Sequence, residues 1–149
     1  MEASLPHSSL KLQGCTNFKL RQLARIVTQD YDAQLEGLGL KITQYSLLSH
    51  VLKLGPIRSV DLAKTMSMDS STLSRNLKPL IAEGWLAVEA GVDARSHLIA
   101  VTGTGRAKRA EAQKHWRIAQ ERLNKKLGMN RVASLHKLLD ETLVLLNAK

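Results

Sequence analysis

The chain has 149 residues, 44% of them apolar and 23% charged, which is enough for one domain with a real core and too balanced for wholesale disorder. Lys and Arg outnumber Asp and Glu by 22 to 13, a formal charge of +9 that favours a polyanionic partner. Only Phe18, Tyr31, Tyr45, Trp85 and Trp116 are aromatic, so the core must be aliphatic and base stacking along a single strand is disfavoured.

Residues 16–37 read as a first helix, capped by Thr16 or Asn17, with Leu20, Leu23, Val27, Tyr31 and Leu35 on one face and Gly37 and Gly39 as its stop. A second helix runs from Thr43 to about Leu54, where Gly55-Pro56 ends it. Two short helices follow. Ser59 caps the first, which runs through Met66 with Val60, Leu62 and Ala63 inward. Asp69 or Ser70 opens the next, which reaches Glu83 with Leu73, Leu77, Leu80 and Ile81 on one face and Pro79 expected to kink it. After Gly84 the period changes. Trp85–Val88 and Leu98–Val101 flank a polar turn over 89–96 and read as a hairpin. Thr102 caps a long helix to Leu127, with Trp116, Ala119, Leu123 and Leu127 in register. Gly128 breaks it, and Asn130 caps a last helix over 132–147.

Two short helices joined by a tight turn and followed by a hairpin make a helix-turn-helix with a wing. The expected fold is mainly α with a small β-hairpin wing, a single domain over 1–149 whose winged part spans 40–102. A groove-reading helix must bury one face and leave short polar and basic side chains on the other. Ser70, Ser71, Thr72, Ser74, Arg75 and Lys78 meet that demand. Their hydroxyls reach phosphates or bases without holding the helix away, Arg75 can bond a guanine with two hydrogen bonds, and Lys78 can neutralise phosphate. The plain alternative is an amphipathic helix with a solvated face.

Here the sequence resembles a known family. Asp93-Ala94-Arg95-Ser96 followed by Leu98 to Gly105 is similar to the D-x-R-S…L-T-x-x-G wing signature of MarR-type bacterial regulators. The run from Asp69 through Arg75 and Leu77 to Gly84-Trp85-Leu86 resembles that family's recognition helix and strand entry, and Leu40–Leu48 matches in style. Val101 stands where Leu is usual, and Pro79 is a second departure. The resemblance implies a sequence-specific DNA-binding regulator, a repressor that grips a pseudo-palindromic duplex as a homodimer. It implies that Arg95 enters the minor groove while Asp93 orients it; a narrow groove's negative potential suits an Arg there. It also implies dimerisation through the regions 1–39 and 103–149. The sequence agrees, since the last helix carries Val132, Leu135, Leu138, Leu139, Leu143, Val144, Leu145 and Leu146 around more than one stripe, and Leu5, Leu10 and Leu12 lack a helix of their own.

Charge is unevenly spread: residues 106–149 carry a net +7, whereas residues 56–105 carry five basic and five acidic side chains. Arg106, Lys108 and Arg109 are expected to reach phosphates, and Arg117, Arg122, Lys125 and Lys126 to form an outer face. The neutral winged stretch motivates a competing reading, a winged helix that docks proteins without DNA. An enzyme is disfavoured, because no triad, metal-ligand spacing or Gly-rich phosphate loop is present, and no cofactor or metal is expected.

MarR-type proteins also respond to effectors, either small phenolic or carboxylate ligands between the dimer helices and the winged part, or oxidants. Ser46, His50 and Lys53 share a face of the second helix, with Tyr45 beside them and Arg21 near in chain order; they are candidates for the first kind, or simply a hydrated face. Cys15 is the candidate for the second, or else a small buried residue; aligning on Tyr31 puts Asn17, not Cys15, at the sensor-thiol position. A single cysteine rules out an intrachain disulfide and fits a reducing compartment. Residues 1–12 lack a signal-length apolar run, and runs such as Leu143–Leu146 are far too short to span a membrane, so a cytoplasmic location is expected.

Overall fold

Leu35, Leu47, Leu48, Leu62, Leu73, Leu80 and Leu86 form the aliphatic core that the composition demanded, closed off by Tyr45 and Trp85. Each buried leucine contributes about 1.5–3 kcal/mol by leaving water. The computed structural model describes residues 14–91 and 97–148. Their order is α1 (Thr16–Leu35), α2 (Ile42–Leu54), β1 (Ile57–Arg58), α3 (Ser59–Thr65), α4 (Ser70–Ala82), β2 (Leu86–Ala90), β3 (His97–Val101), α5 (Gly103–Leu127) and α6 (Met129–Asn147). The protein is mainly helical with one small antiparallel sheet in the order β1-β3-β2.

Cys15, not Thr16 or Asn17, caps α1. The helix ends at Leu35, and residues 36–38 tighten into a 3-10 turn closed by Gly39 at φ 70°. Only the lower part of the expected α1 stripe is covered: Tyr31 and Leu35 are buried, whereas Leu20 and Leu23 stay exposed. Asp32 near the foot of α1 accepts from the Ile42 N–H at 2.8 Å and so satisfies a free donor at the start of α2.

In α3, Leu62 and Ala63 are buried but Val60 is 45% exposed, because it lies two residues from Leu62 and so points away from the core. In α4, Leu73, Leu77 and Leu80 follow the helical period inward, and Ile81 sits at the stripe's edge, 37% exposed. Pro79 does not end α4. The ring deprives the Arg75 carbonyl of its N–H partner, but positions 75 and 79 are both exposed, so water can take that role.

The hairpin is present, with Val88 paired to Ile99 and Leu86 to Val101. A third strand was not foreseen: Ile57 and Arg58 pair with Ile99 and Leu98 on the other edge of β3. Thr102 caps α5 as expected. Ala112 and Ala119 are buried on α5, and their small side chains let α1 approach, where the Tyr31 hydroxyl donates to Gln120 Oε1. Gly128, rather than Asn130, caps α6, so Asn130 falls inside its first turn. Val132 is the buried residue of α6; Leu138, Leu143, Val144, Leu145 and Leu146 are at least half exposed. Among the described residues no helix is long and apolar enough to cross a membrane.

Candidate nucleic-acid interface

α4 is built to hold one face rigid and present the other. Leu73, Leu77 and Leu80 anchor it in the core, while Ser70, Ser71, Ser74, Arg75 and Lys78 are exposed and Thr72 is half-buried. The presented face is organised by Asp69, the N-cap. Its Oδ1 accepts from the Thr72 N–H and the Ser71 hydroxyl, both at 2.7 Å, and its Oδ2 from the Thr72 hydroxyl at 3.0 Å. The backbone N–H of Thr72 and then the two hydroxyls stabilise the ionised form and lower the carboxyl's pKa to about 2, so the cap stays charged at any ordinary pH. Thr72 Oγ1 in turn accepts from the Arg75 guanidinium at 3.3 Å. Asp69 thereby orients Arg75 through Thr72, a role hidden in the sequence except for the spacing of an Asp three residues before a Thr at a helix start.

The hairpin stands beside α4. Thr102 Oγ1 donates to the Gly84 carbonyl at 2.6 Å and accepts from the Gly105 N–H at 3.0 Å, tying the end of α4, the sheet and the start of α5 together. Asp93 and Arg95, the residues expected at the wing tip, lie outside the described residues.

The basic side chains after the wing behave differently from expectation. Arg109 is half-buried: its Nε donates to Ser49 Oγ at 3.2 Å, its Nη1 to Gln113 Oε1 at 3.3 Å, and the guanidinium lies 5.8 Å from the Tyr45 ring centre. It is committed to joining α5 to α2 and does not serve as a free phosphate contact. Lys108 rests 5.4 Å from the Trp85 ring centre, also half-buried, whereas Arg106 is exposed. In β1, Arg58 pairs with Asp61 at 2.9 Å, so that charge is locally neutralised.

The effector candidates are only partly brought together. Tyr45 is buried and stacked on Trp116, with ring centres 6.1 Å apart. The His50 ring lies 2.7 Å from the Ser46 carbonyl. A cavity of about 440 Å³ between α2 and α5 is lined by Ser49, His50, Leu52, Lys53 and Arg109, with no carboxylate among them. Arg21, exposed on α1, does not line it. Cys15 is exposed, contrary to a buried structural role. Tyr31 is sixteen residues further along the same helix, about 24 Å away by helical rise, so the two do not meet within one protomer. Among the described residues, apolar side chains are left exposed at Phe18, Leu20, Leu23 and Ile26 on α1 and along the leucine-rich end of α6.

Comparison with known proteins gives a consistent picture. Residues 38–96 match the family model described as the MarR family. The chain is 29% identical over 84 residues to the HTH-type transcriptional regulator YwoH of Bacillus subtilis (strain 168), a stretch covering 56% of this chain and 61% of that relative, so the match spans about three fifths of the relative's length. The crystal structure of the transcriptional regulator MosR of M. tuberculosis in complex with DNA is similar with a TM-score of 0.71 and 30% identity, covering 87% of this chain and 98% of that one. A cysteine-to-serine mutant of E. coli MarR complexed with operator DNA shares the fold, with a TM-score of 0.76 and 24% identity over 85% of this chain and 92% of that one.

Proposed function

Because this chain belongs to the MarR family, a family of transcriptional regulators, we propose that it is a cytoplasmic repressor that binds a pseudo-palindromic duplex as a homodimer. The observation that carries this reading is the division of α4 into a buried leucine face and an exposed Ser70–Lys78 face whose Arg75 is braced from Asp69. The helix enters the major groove, Arg75 reads a guanine, and Lys78 neutralises phosphate. Arg95, oriented by Asp93, takes the adjoining minor groove. Residues 40–102 form the DNA-binding part, and 1–39 and 103–149 the dimerisation helices. A single winged helix covers little duplex, and the bare apolar faces of α1 and α6 are what a second copy would bury.

Release comes from a small phenolic carboxylate held in the cavity between α2 and α5, where the Lys53 ammonium and the His50 ring can meet it and no acid opposes them. Oxidation is the second reading, favoured by one observation, the exposure of Cys15. Mobility shift with a duplex recovered by the chain tests the central reading: Arg75→Ala and Arg95→Ala should each weaken binding while the dimer stays intact. Unchanged affinity in both variants would refute it.

A further inference from the structure

We propose that the cleft between the start of α2 and the flank of α4 seats a backbone phosphate of duplex DNA, with Lys41 and Thr43 as its anchors. This rests on α4 being the groove-reading helix. The cleft, about 260 Å³, is lined by Lys41, Thr43, Gln44, Arg75, Asn76 and Pro79, and no carboxylate faces it. Arg75 belongs both to this lining and to the exposed face of α4, so the cleft opens on the side that meets the duplex.

Charge accounting leads to the same place. Residues 56–105 sum to zero, and three cations near the sheet are already engaged, Arg58 by Asp61, Lys108 by Trp85, and Arg109 by Ser49, Gln113 and Tyr45, whereas Arg106 stays exposed just after the wing. A helix in the major groove is flanked by two phosphate strands that must still be neutralised. Lys41 comes from outside the neutral stretch, is exposed, and forms no ion pair among the described residues. Asp32 and Glu36 line a neighbouring pocket that Lys41 also borders, but neither is within ion-pair distance of the Lys41 ammonium. The Thr43 hydroxyl, exposed in the first turn of α2, adds a neutral donor to the Lys41 ammonium. Such contacts fix register and affinity and carry no base information.

The test is fluorescence anisotropy with a labelled duplex selected by the wild-type chain from a random pool, repeated across a salt series and across single-base variants of that duplex. Lys41→Gln should reduce the slope of log affinity against log salt by about 1.8, which is about 0.9 for each of the two protomers on the duplex, and weaken every base variant by the same factor. Lys41→Arg should restore the slope, while Lys114→Gln, an exposed cation far along α5, should leave it unchanged. An unaltered slope in Lys41→Gln, or an equal fall in Lys114→Gln, overturns the phosphate seat while leaving the role of α4 standing. A wild-type chain that enriches no duplex overturns both.

Discussion

Gly105, in the first turn of α5, faces the backbone carbonyl of Trp85 so closely that a Cβ at position 105 would overlap that oxygen. The glycine at the end of the wing signature is therefore required by packing, not by turn geometry. It lets α5 press onto the start of β2, where Thr102 N–H donates to the same carbonyl at 3.1 Å and Lys108 covers the Trp85 ring. The long helix leading to α6 is thus fastened to the sheet at one backbone junction.

Gly105→Ala should break this junction. The obstacle is backbone and cannot rotate away, so the expected cost is about 3 kcal/mol, at the upper end for overpacking. Urea unfolding followed by circular dichroism measures it; Gly103→Ala, where a Cβ would meet open space, should be nearly silent.

Asp69→Asn should lower the melting temperature by a few degrees and loosen Arg75. The folded-state pKa of about 2 lies below the ordinary 3.8, so the carboxylate's contribution is fully present above about pH 4 and is lost as pH falls towards 2. The wild-type melting temperature should therefore converge on that of Asp69→Asn over this window. Parallel curves down to pH 2 would show that the cap contributes nothing through its charge.

Leu138→Glu combined with Leu145→Glu should convert the dimer to lone protomers, since both side chains are well exposed on α6 and would carry charge into a covered interface. Sedimentation equilibrium reads the mass, and duplex affinity should fall at least about tenfold as one half-site is lost. A dimer of unchanged stability would remove α6 from the interface.

Salicylate, a phenolic carboxylate, should release the duplex from the wild type. His50→Ala with Lys53→Ala should raise the half-maximal concentration about tenfold, the effect of one lost charged hydrogen bond. Arg109 is unsuitable for this comparison because it also holds Ser49 and Tyr45. Equal sensitivity in both proteins would place the ligand elsewhere.

The sequence announced α4 and the hairpin clearly, because Leu73, Leu77 and Leu80 repeat with the helical period and Gly84-Trp85 switches it to that of a strand. β1 was illegible, since two residues cannot display alternation and Ile57 and Arg58 are strand only through pairing with β3. Periodicity marked an apolar face on α1 but could not tell which part this chain covers itself: Tyr31 and Leu35 are buried, Leu20 and Leu23 are not. The Arg109–Ser49 contact has no signal in the sequence, because the two lie sixty residues apart and only the fold brings them together. Lys41 is equally silent in the sequence, its relation to Arg75 being one of neighbouring helices and not of chain order.

Selection of bound duplexes from a random pool by the purified wild-type chain measures the main point most directly. Enriched sequences should contain two inverted half-sites about one helical turn apart, each with a guanine whose replacement is tolerated in Arg75→Ala but not in the wild type. A pool that emerges without enrichment, or with a single unrepeated motif, would contradict a twofold pair of α4 helices reading DNA.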